Sequence, residues 1–244
     1  MSALLDIRAV SKRFGGVVAN ERITLSVAPG EIVGLIGPNG SGKTTLFNSI
    51  AGQHPIDEGS ISFDGREISI LRVSAIARLG LIRTYQQTRV FRRMTALANM
   101  LASAPAQRGA MFRRPASAER DRAVELLAFV GLAEKRLLPA GELSFGQQKL
   151  LEFAMALMRG PRLLLLDEPT AGINPTLINS LVERLRRANE ELGVTLFVIE
   201  HNMPAIMALA SRIYCLAHGE LLAEGAPDAI RNDPRVIDAY LGAR

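Results

Sequence analysis

The sequence predicts an α/β protein with a buried parallel sheet, an antiparallel β layer in the first third of the chain, and a helical section inserted between core elements. Three observations lead there. Arg162-Leu163-Leu164-Leu165-Leu166-Asp167 and Val194–Ile199 are short apolar runs without polar alternation, as in strands covered on both faces. Leu4–Val10, Arg22–Val27 and two short runs around Asp64-Gly65 read instead as strands of a hairpin-rich layer. Between the layer and the leucine run, residues 90–158 carry helical periodicity and little strand signal.

Taken in order, Leu4–Val10 and Arg22–Val27 flank a turn at Phe14-Gly15-Gly16, and Ile23, Leu25 and Val27 alternate as one strand face. Pro29-Gly30 turns the chain into a strand at Glu31–Ile36, followed by a helix from Thr45 to Ile50. Strands at Gly59–Phe63 and Arg66–Ile68 form the Asp-Gly hairpin, a short helix covers Ser74–Gly80, and Leu81–Tyr85 returns as a strand. Helices are expected at Thr95–Ala102, Ala118–Val130 and Gln147–Met158, with Pro105–Pro115 as a connection. After the leucine strand, Thr176–Leu192 is amphipathic through Leu177, Leu181, Leu185 and Ala188, and Gly193 ends it. Pro204 opens a helix to Ala210, His218-Gly219 joins the strands Ile213–Ala217 and Leu221–Glu224, and Pro227–Leu241 forms two short helices.

The most informative stretch is Gly37-Pro38-Asn39-Gly40-Ser41-Gly42-Lys43-Thr44, which fits GxxxxGK[ST] between a strand and a helix. Glycines let the backbone wrap a phosphate with its N–H groups turned inward, and the next helix presents its positive end. Lys43 supplies a point charge for the β- and γ-phosphates, and Thr44 a hydroxyl for Mg²⁺. Asp167, ending the leucine strand, is placed to hold Mg²⁺ through its water shell, and Glu168 to polarise a water attacking the γ-phosphate. Ser144 followed by Gln147 is a capping box that starts a helix; the same free N-terminus also suits a phosphate.

Composition excludes several classes. The 244 residues carry 48% hydrophobic side chains, enough for a substantial core, yet no apolar run approaches the ~18 residues of a membrane span. No apolar leader is seen at the N-terminus. Cys215 is the only cysteine, which rules out an intrachain disulfide and suits a reducing cytosol. The net charge is +5, and basic residues thicken between Arg83 and Arg122, including Arg108, Arg113 and Arg114. That face reads either as solvated surface or as a partner for anionic headgroups or nucleic acid; the scarcity of interleaved aromatics argues against base stacking.

These motifs together resemble the ATP-binding cassette (ABC) ATPases over essentially the whole chain. The family signature LSGGQ reads here Leu143-Ser144-Phe145-Gly146-Gln147, with an aromatic in place of the first glycine. The resemblance implies a P-loop NTPase with a RecA-like core, an N-terminal antiparallel β subdomain and an inserted α-helical subdomain, with the core at 1–89 and 159–244 and the helical part at 90–158. It implies ATP and Mg²⁺ as ligands, and a head-to-tail dimer in which Ser144, Gly146 and Gln147 contact the γ-phosphate held by the second subunit. By the same resemblance Gly37, Pro38, Asn39, Gly40, Ser41, Gly42, Lys43, Thr44 and Thr45 hold the phosphates and Phe14 stacks on adenine. Gln86 contacts Mg²⁺ and the attacking water, and His201 bonds the γ-phosphate. Asn174 stands where many relatives have Asp.

Within the family, LSFGQQ, Asp167–Pro175, Ile199–Met203, the Arg83–Gln86 run and the tail Ala239-Tyr240-Leu241-Gly242 are similar to an ATPase of branched-chain amino acid importers. That similarity implies a peripheral subunit on the cytoplasmic face, paired with a second ABC ATPase, identical or related. It would act on transmembrane permease subunits fed by a solute-binding protein, with no nucleic acid involved. Urea or amide importers, lipopolysaccharide exporters and soluble ABC ATPases acting on nucleic acid are the neighbouring alternatives.

Overall fold

The computed structural model describes residues 3–84, 90–105 and 116–241. Two sheets form. The first is four-stranded and antiparallel, in the order β2-β1-β4-β5, from β1 (Leu5–Phe14), β2 (Val17–Val27), β4 (Glu58–Phe63) and β5 (Arg66–Glu67). The second is six-stranded, in the order β10-β9-β3-β8-β7-β6. In it β3 (Ile32–Ile36), β6 (Leu81–Arg83), β7 (Leu163–Asp167), β8 (Thr195–Ile199) and β9 (Arg212–Ala217) run parallel, and β10 (Glu220–Gly225) pairs antiparallel with β9.

The apolar runs become strands because both of their faces are covered. All five residues of β7 and of β8 are buried. Strand alternation sends Leu163 and Leu165 into one apolar cluster and Leu164 and Leu166 into the other. The first cluster joins β3 and β8 to the antiparallel layer and to α1 (Lys43–Ile50), where Phe47 meets Phe197 with ring centroids 4.9 Å apart. The second joins the opposite face to α3 (Ala96–Ser103), α4 (Ser117–Phe129), α5 (Phe145–Leu157), α6 (Pro175–Leu192) and α7 (Met203–Leu209). Each leucine or phenylalanine so buried contributes about 1.5–3 kcal/mol.

Two hairpin turns have both central residues at positive φ, Asp64-Gly65 at 53° and 73° and His218-Gly219 at 51° and 83°, the geometry that matches strand twist. The remaining elements are α2 (Val73–Arg78), two 3₁₀ turns at Ala133–Lys135 and Ala140–Glu142, α8 (Pro227–Arg231) and α9 (Pro234–Leu241). Observed ends lie close to the expected ones, except that β1 and β2 run on to Phe14 and start at Val17, so the Phe14-Gly15-Gly16 turn is the tip of a longer hairpin. Among the described residues no helix is long and apolar enough to cross a membrane.

Candidate active site

Open α/β sheets place their reactive groups beyond the carboxyl ends of the parallel strands. Here β3 ends at Ile36 and feeds the glycine loop, β7 ends at Asp167 and feeds Glu168, and β8 ends at Ile199 and feeds Glu200 and His201. These segments meet at one cleft of about 240 Å³, lined by Val17–Ala19, Asn39–Thr45, Glu168 and His201.

The loop's shape depends on two glycines. Gly37 lies at φ 147°, and a Cβ there would meet the Leu216 carbonyl oxygen at 2.1 Å. Gly42, the N-cap of α1, lies at φ 96°, and a Cβ would meet the Ala19 carbonyl oxygen at 2.2 Å. Asn20 Nδ2 donates to the Gly42 carbonyl at 3.2 Å, so β2 pins the loop from outside. Inside it the Lys43 ammonium donates to the carbonyls of Gly37 (2.8 Å) and Pro38 (2.9 Å) and to Ser41 Oγ (3.3 Å). Burial lowers the pKa of this ammonium, and the negative charge of Glu168 opposes that shift. A cation held at the centre of an N–H-rich loop is a receptor for phosphate oxygens.

Glu168 has φ 49°, a conformation that side-chain-bearing residues seldom adopt and that costs of order 1–3 kcal/mol. Its N–H donates to Ile199 O at 2.9 Å and its carbonyl accepts from Ala171 N at 3.1 Å. The carboxylate Oε1 stands 2.8 Å from His201 Nε2. Sequence reasoning missed what holds this pair. The buried Glu200 carboxylate accepts the N–H groups of Thr170 (2.7 Å), His201 (3.1 Å) and Asn202 (3.2 Å), tying the ends of β7 and β8 together.

Asp167 ends β7, as the leucine run predicts, and its carboxylate is also engaged by a cation. It is 4% exposed, and its Oδ2 is paired at 2.7 Å with Arg83 Nη2, itself 6% exposed. Arg83 also bonds Asn48 on α1, so one guanidinium links β6, β7 and the helix after the loop. Among the described residues no three His, Cys, Asp or Glu side chains gather as a metal cage. The donor set still fits Mg²⁺ bound to a nucleotide, since that ion keeps several waters and takes one or two protein groups plus phosphate oxygens. Thr44 lines the cleft, and Asp167 ends β7, which β8 separates from the strand that leads into the loop.

Other expected residues lie elsewhere. Phe14 ends β1, half exposed, with its ring edge-on to His54 at 5.4 Å and the Lys12 ammonium 5.3 Å from its centroid. The cleft wall is Val17, Val18 and Ala19 of β2, because Phe14 lies across the hairpin tip, paired with Val17. Ser144 caps α5, accepting from Gln147 N (3.4 Å) while Gln147 Oε1 accepts from Ser144 N (3.1 Å). Ser144, Gly146 and Gln147 are not among the residues lining this chain's cleft. Asn174 caps α6. Gln86, with its neighbours Tyr85 and Gln87, and Arg108, Arg113 and Arg114 fall outside the described residues.

The tail supplies a contact without a local sequence cue. The Gly37 N–H donates to Tyr240 Oη of α9 at 2.8 Å. Burial pushes the phenol pKa up to about 12, so it stays protonated near neutrality.

A glycine loop around a buried ammonium, beside a carboxylate–imidazole pair at the strand ends, defines a P-loop nucleoside triphosphatase. Comparison with known proteins narrows the class. The ABC transporter family model matches residues 20–171, and a model of the branched-chain amino acid ATP-binding cassette transporter matches residues 220–244. The chain is 39% identical to the high-affinity branched-chain amino acid transport ATP-binding protein LivG of Escherichia coli K12, over 98% of each chain. It has the same identity and coverage with the protein of that description, BraF, in Pseudomonas aeruginosa. The ADP conformation of MJ1267, an ATP-binding cassette of an ABC transporter, superposes with a TM-score of 0.90 at 30% identity, covering 99% of this chain and all of that one. A dimeric post-hydrolysis cassette bound to ADP and Pi, MJ0796, matches with a TM-score of 0.77 at 27% identity, over 91% of this chain and 98% of that one. The chain belongs to the ABC transporter family and is one of its ATP-binding, ATP-hydrolysing cassettes.

Proposed function

We propose that this cassette powers the import of branched-chain amino acids or related solutes, as a peripheral subunit on the cytoplasmic face of the membrane. The observation that carries the catalytic half is the convergence of Lys43, Glu168 and His201 on one cleft. The transport half is supported by similarity to LivG and BraF over nearly the whole chain, together with the match at residues 220–244.

In this reading the loop of residues 37–45 wraps the phosphates, and its backbone N–H groups from Asn39 to Thr45, with the Lys43 ammonium, bind the β- and γ-phosphates. Val17–Ala19 border the nucleoside, with Phe14 as the aromatic next to the base. Thr44 would hold Mg²⁺ and Asp167 would hold it through water; the ion supplies charge neutralisation on the phosphates. Glu168 orients and polarises the attacking water, and His201 fixes the carboxylate and donates to the γ-phosphate. Gln86 would contact Mg²⁺ and that water. Ser144, Gly146 and Gln147, at the α5 N-terminus that opens with the exposed Ser144, cover the nucleotide of a second cassette, identical or related. Residues 90–158, as a helical subdomain between core segments 1–89 and 159–244, pass that closure to the permease subunits, which the solute-binding protein loads.

The test is reconstitution with the cognate permease subunits and binding protein in proteoliposomes. The expected result is ATP-dependent leucine uptake that Lys43→Ala abolishes. Failure to co-purify with those subunits, joined to nucleic-acid binding with a steep salt slope, would contradict the reading.

A further inference from the structure

The helix that begins at Ser144 also has contacts inside its own chain. Phe145 and Lys149 stand one turn apart on α5, a spacing that brings side chains together. The Lys149 ammonium lies 5.8 Å from the Phe145 ring centroid. Lys149 is 6% exposed, and its Nζ donates to the backbone carbonyl of Glu168 at 3.5 Å. The Phe145 ring covers Gly172, where an added Cβ would meet Cε1 at 2.9 Å. At Gly146 an added Cβ would meet Leu177 Cδ1 at 2.7 Å, so the next residue of α5 is seated on the start of α6.

The start of α5 is therefore fitted to residues 168–177, beginning with the carbonyl of a residue whose backbone is strained at φ 49°. A charged donor on that carbonyl favours the conformation that aims the Glu168 side chain at His201. We propose that Lys149 is a positioning residue for hydrolysis: it fixes the peptide of Glu168, and the Phe145 ring, in place of a glycine, keeps the ammonium in place against the segment at Gly172. This rests on Glu168 as the water-activating group. One consequence is that the α5 N-terminus, which serves the nucleotide of a second cassette, and Glu168, which serves the chain's own, move as one body.

Steady-state ATP hydrolysis by Lys149→Met, Lys149→Arg, Phe145→Ala, Glu168→Gln and the double variant Lys149→Met/Glu168→Gln tests this. A misplaced catalytic group costs up to ~100-fold, so Lys149→Met is expected to lower kcat about tenfold or more with KM for ATP within about twofold. Lys149→Arg, which keeps a charged donor, should stay within about threefold of wild type, and Phe145→Ala should lose part of kcat. The double variant should turn over no more slowly than Glu168→Gln, because the lysine acts through the glutamate. Wild-type kcat in Lys149→Met, a raised KM at unchanged kcat, or losses that multiply in the double variant would overturn the proposal. If Lys149→Met lacks a cooperative melt, Phe145→Ala decides: reduced kcat at constant KM supports the proposal and unchanged kcat overturns it. Wild-type turnover in Glu168→Gln would remove the glutamate reading itself, and the proposal with it.

Discussion

His201 Nε2 stands 2.8 Å from Glu168 Oε1, and both line the cleft that holds the Lys43 loop. The imidazole thus fixes the rotamer of the proposed base. Electrostatic groups aimed at developing charge are worth about 10²–10³ in kcat. His201→Ala is expected to lower kcat by about that factor while leaving the ATP dissociation constant within about threefold. His201→Gln, which keeps a donor, should recover part of the loss. Steady-state kinetics and equilibrium titration with a fluorescent ATP analogue check both.

Arg83 and Asp167 form an ion pair in which both side chains are nearly excluded from water. Removing one member of such a pair leaves a buried charge and costs about 3–5 kcal/mol. Arg83→Met should therefore lower Tm by about 6 °C or more in a chain of this size, measured by calorimetry without nucleotide. Adding Asp167→Leu should return much of that stability while leaving hydrolysis impaired. A Tm unchanged in Arg83→Met would mean that the pair contributes nothing.

Tyr240 Oη accepts the Gly37 N–H, although the two residues are 203 positions apart in the chain. Tyr240→Phe leaves that donor without its partner, a cost of about 1–3 kcal/mol. The nucleotide-free protein should melt earlier, and saturating ATP should still raise Tm, because the ring of phosphate-facing N–H groups is intact. Thermal melts with and without ATP report the effect.

Cys215 is fully buried, and its thiol pKa is pushed up to about 11 by that burial. The unfolded thiol has the ordinary value near 9.0. The folded state holds the proton more tightly, so this contribution is complete below pH 9 and is lost as pH rises through 11. Denaturant titrations should show stability declining across that window, less steeply in Cys215→Ala. At pH 8 the thiol should react with alkylating reagents only on unfolding.

Local signals carried most of the fold. Strand alternation, continuous leucine runs, Asp-Gly and His-Gly turns, and the prolines of α6 to α9 mark elements whose causes lie within a few residues. The phosphate loop was equally legible, because its geometry is a matter of spacing. Long-range pairs were not: Arg83 is 84 residues from Asp167, and Gly37 is 203 residues from Tyr240. No periodicity connects such residues; only the strand order does. Lys149 left a fainter trace. It sits beside Gly146, Leu150 and Phe153 on the inward stripe of α5, where a cation needs a partner. Glu200 followed an apolar strand and read as part of the His201 context, although its carboxylate organises three backbone donors.

The most direct measurement compares Glu168→Gln with wild type for single-site ATP binding and steady-state turnover. The amide keeps the size of the side chain and loses its capacity to take a proton. The expected result is an ATP dissociation constant within about threefold of wild type and a kcat reduced by about 10² or more. Turnover at the wild-type rate would contradict the assignment of hydrolysis to the Glu168–His201 pair.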